Sequence, residues 1–302
     1  MKTVTYTYVL QKAVELTGRI YPPSTEDAAV FRTFIGSALR QAWEAFDWPD
    51  VTQITQEFFA PTYADEDTYS FGNVVYYPVE QKYYQWVSHT TGSENPPTLS
   101  GPGGTLNFNY WANVYPTGSG SQYSSTTTYS GGDIVVWPQD NNVYQCIQAS
   151  VTGSDPSSTV NWGRINTFYQ IVSKTLNADG TARTTDLGEI LSVWPQDPRI
   201  VWNQWQPTYS LNSEGIIVGT ALPCVWVESR LSPPIYTSDP STIPYRFAEI
   251  CAYRAAGQML RVDGKIDLGN EFLLMGESAL TDEVDKVARQ EMYVRKITVK
   301  TV

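Results

Sequence analysis

The feature that most constrains the fold of this chain is a short segment that occurs twice in its middle. Residues 69–78 read YSFGNVVYYP and residues 129–138 read YSGGDIVVWP, 60 positions further on. Seven positions match without a gap: Tyr69, Gly72, Val74, Val75, Tyr77, Pro78 and Tyr84 in the first copy, and Tyr129, Gly132, Ile134, Val135, Trp137, Pro138 and Tyr144 in the second. Each copy closes on a tryptophan, Trp111 or Trp162. A duplicated segment of this size predicts two small modules of one fold.

Both copies have the composition of short strands. Gly, Asn and Pro interrupt brief runs of β-branched and aromatic residues, as in strands joined by tight turns. We therefore predict two small all-β modules, at residues 67–116 and 129–165. The segment between them, TGSGSQYSSTTT at 117–128, is rich in Gly, Ser and Thr. Such a composition predicts a flexible linker.

Helical patterns lie at both ends of the chain. Apolar residues recur at helical spacing within residues 6–18 and 25–46 near the start, and within 244–261 and 267–293 near the end. Ser24 stands just before the second pattern, where its hydroxyl can cap the first turn of a helix. The sequence therefore predicts two helices at each end.

Together these patterns predict an α+β fold. A discontinuous helical body, residues 1–66 and 166–302, holds the N- and C-terminal helices and a small β section. The two modules and their linker are inserted between its halves. Insertions are tolerated at surface loops because they need not disturb the core of the host.

Charge and the supply of reactive residues exclude several classes of function. The formal net charge is -11, and an acidic chain binds nucleic acid and anionic membranes poorly because phosphate attracts Lys and Arg. Cys146, Cys224 and Cys251 lie in separate segments without metal or disulfide spacing. The single histidine, His89, lies in a polar run. We therefore expect no enzyme, no cofactor and no metal, and the lack of a long apolar stretch predicts no membrane span.

The modules carry a recognisable aromatic pattern. In each copy, Tyr-x-x-Gly-x-x-Val-x-aromatic is followed by a turn, a second Tyr, a Gly/Pro loop and a closing Trp. This pattern resembles the small carbohydrate-binding modules of the chitin-binding 5/12 type, more closely in the second copy, through Tyr129, Gly132, Val135, Trp137, Tyr144, Cys146 and Trp162. The resemblance implies aromatic side chains that stack on sugar rings, and the candidates are Tyr77, Trp111, Trp137 and Trp162. The alternative is that these aromatics form the cores of the modules.

The body carries a second resemblance, to the head-to-tail connector (adaptor) proteins of tailed bacteriophages. Four stretches support it through their order: LRQAWEAFDWPDV (39–51), ILSVWPQDPR (190–199), CVWVESRLSPPIYT (224–237) and the helical run 243–290 with its internal DGK. The resemblance implies a virion protein of the neck that forms a ring, commonly of twelve subunits, between portal and tail. Its partners would be further copies of itself, the portal protein and tail or other neck proteins.

Such a connector would be made in the host cytoplasm and would let DNA pass without sequence-specific binding. An acidic wall suits this passage because it repels phosphate. The final residues, EMYVRKITVKTV, alternate like a strand and carry Tyr293, Arg295, Lys296 and Lys300. We expect this basic tail to add a strand to a partner ring. The alternative is a solvated end without a partner.

Other functions compete with that of a connector. As decorations of a virion, the modules would hold fibres or touch host glycans. A carbohydrate-binding protein, in which the body only carries the tandem modules, is the second hypothesis. A glycan hydrolase with tandem binding modules is the third, although nothing in the sequence arranges paired carboxylates into a site.

Overall fold

A computed structural model describes residues 2–93, 96–99, 102–115, 120–201, 204–233 and 242–299, with side chains as far as residue 289. The α+β class predicted from the sequence is confirmed. The strands and helices, in chain order, are β1 (Thr3–Thr5), α1 (Tyr6–Leu16), α2 (Thr25–Glu44), β2 (Thr52–Glu57), β3 (Val74–Tyr77), β4 (Lys82–Trp86), β5 (Trp111–Asn113), β6 (Ser121–Gln122), β7 (Thr128–Ser130), β8 (Ile134–Val136), β9 (Val143–Cys146), β10 (Ser150–Thr152), β11 (Trp162–Ile165), β12 (Gln170–Ser173), β13 (Glu189–Trp194), β14 (Tyr209–Leu211), β15 (Gly215–Val218), β16 (Val225–Arg230), β17 (Thr242–Pro244), α3 (Tyr245–Val262) and α4 (Ile266–Val299).

The chain divides into two compact units. One, the helical unit, combines residues 1–53 with residues 230–302, and the other, the β unit, holds residues 54–229. The two ends of the chain thus belong to one unit. The boundaries differ from those expected, because the β section at 166–229 groups with the modules instead of with the helices.

Helix α3 is the centre of the helical unit. Its Cys251, Ala252 and Ala255 are fully buried, and their small side chains let neighbouring helices approach closely. The core around them draws on both ends of the chain, with Tyr6, Val9, Ala13 and Val14 from α1, Phe31, Ile35, Ala38, Leu39, Ala42 and Trp43 from α2, and Val287 from α4. Burial raises the pKa of the Cys251 thiol to about 12, so this group is a neutral packing element.

Capping and ion pairs fix where the helices begin and end. The Ser24 hydroxyl accepts a hydrogen bond from the Asp27 backbone N–H (3.1 Å), as the sequence predicted for the start of α2. Arg19, in the loop before it, lies 2.6 Å from Asp27 and 2.8 Å from Asp263 at the end of α3. One guanidinium therefore joins the start of α2 to the end of α3.

A short antiparallel ladder joins the two chain ends. β1 pairs with β17, with Val4 opposite Ile243, and each strand runs directly into a helix, α1 or α3. Further along α3, Arg254 is almost completely buried and donates to Gln41 of α2 and to Glu277 of α4, both at 2.6 Å. These contacts connect all the layers of the helical unit.

Glycines let α3 and α4 pack with their backbones almost in contact. A Cβ on Gly257 would lie 2.7 Å from the Gly269 carbonyl oxygen and 2.9 Å from the Leu273 side chain. A Cβ on Gly269 would likewise lie 2.8 Å from the Gly257 carbonyl oxygen. Any side chain at this crossing would push the two helices apart.

The close crossing predicts opposite effects for two Gly→Ala substitutions. Gly257→Ala should lower the free energy of unfolding by about 1–3 kcal/mol, since overpacking outweighs the better helix propensity of Ala. Gly36→Ala, in α2 with nothing within 4 Å of the added Cβ, should raise it by about 0.5–1 kcal/mol. Urea unfolding followed by circular dichroism measures both, and a stabilised Gly257→Ala would contradict the packing described here.

The tail is helical, which corrects the strand expected there. α4 continues to Val299, so Tyr293, Arg295 and Lys296 are helical positions, while Lys300 lies outside the described residues. The alternating pattern misled because β-branched residues cost a helix only tenths of a kcal/mol each. A long preceding helix removes the cost of nucleation, and no Gly or Pro stops its extension.

Five small sheets make up the described part of the β unit. β3, β4 and β5 form an antiparallel sheet in the first module. In the second module, β8, β9 and β11 form the same antiparallel arrangement, and β6 joins β8 in parallel. The remaining sheets are β7 with β10, β12-β15-β14, and β13-β16-β2.

The first module shares a core with the β section, which explains the shifted boundaries. Tyr76 and Tyr83 of the module lie in one buried cluster with Val172, Ile216 and Val225. The Tyr83 hydroxyl also donates to the Pro223 carbonyl oxygen at 2.7 Å. This module is therefore an integral part of the β unit, not a separate insertion.

The described part of the expected linker belongs to the second module. Residues 116–119 lie outside the described residues, but Gln122 pairs with Val136, and the ring of Tyr123 stacks on that of Tyr129 at 5.7 Å. The equivalent bridge in the first module joins Thr62 to Tyr76. Both modules therefore begin several residues earlier than predicted.

Candidate functional site

The two sequence copies have equivalent backbone hydrogen bonds. The Gly72 N–H donates to the Trp86 carbonyl oxygen (2.9 Å), and the Gly132 N–H donates to that of Cys146 (2.8 Å). Both glycines have a φ near +90°, at +93° and +91°, a conformation open to glycine at little cost. The repeat in the sequence is thus a repeat in the structure.

Each module is built on a cluster of stacked and perpendicular aromatic rings. Tyr69 meets Trp111 edge to face at 5.1 Å in the first module, and Tyr129 meets Trp162 in the same way at 5.2 Å in the second. A further tyrosine, Tyr63 or Tyr123, stacks on the first member of each pair. Together with Val75 in the first module and Val135 and Val151 in the second, these rings form the core of each module.

Two of the four residues predicted to bind sugar are core residues. Trp111 is fully buried, and Trp162 is 1% exposed. The Trp162 indole N–H also donates to the Ser154 carbonyl oxygen (2.9 Å). Neither ring presents a face to a ligand, so the prediction of stacking is wrong for both, and the alternative of core aromatics holds for them.

The other two, Tyr77 and Trp137, lie at equivalent positions and are only partly buried. Trp137 stands perpendicular to Tyr144 at 6.0 Å, and Tyr77 stands perpendicular to Tyr84 at 6.2 Å. Each module thus places one accessible aromatic ring at the end of its sheet.

A tyrosine–carboxylate pair supports each of these rings. The Tyr84 hydroxyl donates to Glu80 at 2.8 Å, and that of Tyr144 donates to Asp140 at 2.7 Å. Burial, with the hydrogen bond to Asp140, raises the pKa of Tyr144 to about 12. Burial, with the hydrogen bond to Glu80, likewise raises the pKa of Tyr84. Both phenols therefore remain protonated donors at neutral pH.

The modules bind each other through a reciprocal exchange of glutamines. Gln85 of the first module donates to the Arg164 carbonyl oxygen (3.0 Å) and accepts from the Asn166 N–H (2.8 Å). Gln145 of the second module donates to the carbonyl oxygens of Phe108 (3.0 Å) and Trp111 (2.8 Å). Each glutamine is fully buried and reaches the last strand region of the other module.

Apolar contacts surround the exchanged glutamines. Val87 and Ala112 of the first module pack with Ile147 and Ile165 of the second in one buried cluster. A Cβ on Gly163 would lie 2.6 Å from the Val87 carbonyl oxygen, so the two backbones approach closely here. The modules therefore form one packed pair.

Some residues of this arrangement were not predicted from the sequence. Tyr63 and Tyr123 lie 60 positions apart, so extending the repeat six residues toward the N-terminus would have found them. The exposed stack of Phe71 on His89, with ring centroids 4.4 Å apart, has no counterpart in the second copy, where Gly131 replaces the phenylalanine. No repeat signal could have revealed that pair.

The residues expected to bind a partner through the C-terminal tail lie on a helix. Tyr293, Arg295 and Lys296 belong to the last turns of α4.

Neither a metal site nor a membrane-spanning helix is found among the described residues. Among them, no group of three or more His, Cys, Asp or Glu side chains is placed to hold a metal ion. None of the helices in the described part of the chain is both long and apolar enough to cross a bilayer.

Comparison with models of known protein families gives no match, and a search of curated proteins finds no similar sequence.

Burial predicts that two equivalent-looking tryptophans of the second module behave differently. Trp162→Ala should lower the free energy of unfolding by about 3–5 kcal/mol, because it empties the module core. Trp137→Ala should cost about 1–2 kcal/mol, since the ring is already partly in solvent. Urea unfolding followed by circular dichroism compares the two. Equal losses would contradict the assignment of Trp162 to the core and Trp137 to the surface.

Proposed function

We propose that this chain is a non-enzymatic structural protein of a tailed-phage virion, a head-to-tail adaptor that forms a ring between portal and tail. The observation that carries the proposal is the helical unit. Helices from both chain ends surround α3, whose middle is fully buried, while α4 extends along one side with a partly exposed apolar face. This is the order of elements on which the resemblance to connectors rests.

The charge of the chain supports the same function. A formal net charge of -11 gives a ring of such subunits a strongly negative total charge, which disfavours adhesion of the phosphates of passing DNA.

The adaptor proposal predicts a ring that binds a portal. The purified full chain, mixed with the portal protein encoded in the same genome, should give ring-shaped particles, commonly twelve-fold, by negative-stain microscopy and a matching mass by native mass spectrometry. A chain that stays monomeric at high concentration and does not bind that portal would overturn the proposal. Mixing with an unrelated acidic protein of similar size is the control.

Carbohydrate binding by the modules is the second candidate function. The observation that favours it is the placement of Tyr77 and Trp137, since both rings are accessible and lie at equivalent positions. Partly exposed aromatic rings offer flat faces for the C–H surface of a pyranose. With Trp111 and Trp162 buried, these two rings carry the whole proposal.

If the modules bind carbohydrate, the full chain should be retained on chitin or on cell-wall glycan, and this retention should depend on the Tyr77 and Trp137 rings. The double variant Tyr77→Ala, Trp137→Ala should lose retention by roughly thirty-fold, as expected for removing two stacking contacts of about 1 kcal/mol each. Tyr169→Ala removes an aromatic that is 66% exposed outside the modules and should leave retention unchanged. If neither variant changes retention, or if the unaltered chain is not retained, the sugar-binding proposal fails.

A further inference from the structure

Charge is divided unevenly along α4. Residues 266–285 carry six acidic side chains and no Lys or Arg, whereas residues 286–299 carry four basic side chains and one acidic. We call these the acidic stretch and the basic stretch. At 1.5 Å per residue they span about 30 Å and about 21 Å of one continuous helix.

The helix dipole does not account for this division. Favourable interaction of charges with the dipole is confined to the first and last turns of a helix. Asp267 is the acidic residue in the first turn of α4, but Glu271, Asp282 and Asp285 lie beyond it and are exposed. Most acidic side chains of this stretch are therefore exposed to solvent and lie too far from the start of the helix to interact with its dipole.

An apolar stripe accompanies the acidic stretch. Leu268 is 43% exposed and Met275 is 42% exposed, and at helical spacing they share one side of α4 with Phe272. The Phe272 ring stacks on Tyr253 of α3, with centroids 6.3 Å apart, so the stripe continues onto the neighbouring helix. It is distinct from the buried side of α4, where Leu273 and Gly276 pack on α3.

We propose that α4 is a self-docking helix, whose acidic stretch and apolar stripe bind the basic stretch of α4 from a second copy of this chain. Charge complementarity selects this occupant, because the sequence of the same helix carries the matching basic residues. Apolar contact supplies affinity, and the opposite charges fix which parts of the two helices meet.

The proposal deepens the adaptor function, on which its ring geometry rests. A contact between two unlike surfaces leaves each copy with one free surface of each kind. It therefore continues from copy to copy and closes into a ring when the rotation between neighbours allows it. Two copies that exchange both contacts at once would stop at a dimer instead.

Charge exchange tests the contact on the full chain. Two variants reverse the charges. The acid-reversed variant carries Glu271→Lys with Asp282→Lys, and the base-reversed variant carries Arg295→Glu with Lys296→Glu. Each should self-associate roughly ten-fold more weakly than the unaltered chain. An equimolar mixture of the two, or one chain with all four changes, should regain association. Sedimentation velocity over a concentration series measures this, and association of the unaltered chain should weaken as salt is raised.

Matched controls separate a specific contact from a general charge effect. Glu44→Lys with Glu214→Lys makes the same change in net charge at exposed positions outside α4 and should leave association unchanged. Circular dichroism should show that every variant keeps its helix content. If the mixture fails to regain association, or if the control weakens it as much as the acid-reversed pair, the self-docking proposal is wrong.

The same data keep this proposal apart from the adaptor function. Regained association that stops at dimers would support the α4 contact and count against a ring. Rings with portal that form equally well from the reversed variants would support the adaptor and overturn the α4 contact.

Discussion

The fold of the β unit depends on one strand that is buried on both faces. Along β4, Tyr84 and Trp86 point into the aromatic cluster of their own module, whereas Tyr83 packs into the core of the β section. Gln85, on the same face as Tyr83, reaches the second module. Because a strand alternates its side chains between two faces, a shift of register by one residue would break three sets of contacts at once. This strand therefore fixes how the first module, the second module and the β section meet.

A buried amide at the contact between the modules adds specificity at some risk to stability. An unpaired amide in such a place costs about 1–3 kcal/mol, so Gln85 and Gln145 favour the one arrangement in which backbone groups of the other module satisfy them. Gln85 is satisfied at both of its polar atoms. The Gln145 side-chain oxygen has no partner among the described residues, so the exchange is not perfectly symmetric. A purely apolar contact would let one module shift along the other at little cost, whereas a shift here would break the hydrogen bonds of the two amides.

The sequence predicted the positions of the helices well, but it predicted poorly which side chains are buried and what they pack against. Helical periodicity identified the four helices found among the described residues, and the Ser24 cap set the start of α2, because both signals depend on residues near one another in the chain. The sharing of a core between Tyr83 and Val225 could not be predicted, since it depends on which of two faces a distant strand covers. Trp111 and Trp137 match the same aromatic pattern, yet one is core and one is partly exposed. The sequence pattern therefore shows where an aromatic side chain lies in the module, but not whether that side chain is buried.

The two copies of the module keep one part of their core and change another. Tyr69 and Tyr129, Val75 and Val135, Tyr84 and Tyr144, and Gln85 and Gln145 are buried and identical, whereas the buried Tyr76, Tyr83 and Trp86 are matched by Val136, Val143 and Cys146. The retained side chains pack in the ring cluster of their own module or reach the other module, so equivalent neighbours hold them in both copies. Tyr76 and Tyr83 instead pack into the core of the β section, whereas Val143 packs against the contact between the modules. Tyr77 and Trp137 both remain aromatic although they are only partly buried; Tyr63 and Tyr84 stand edge-on to Tyr77, and Tyr144 stands edge-on to Trp137, so packing accounts for part of each ring and the exposed part is open to a ligand or a neighbouring protein.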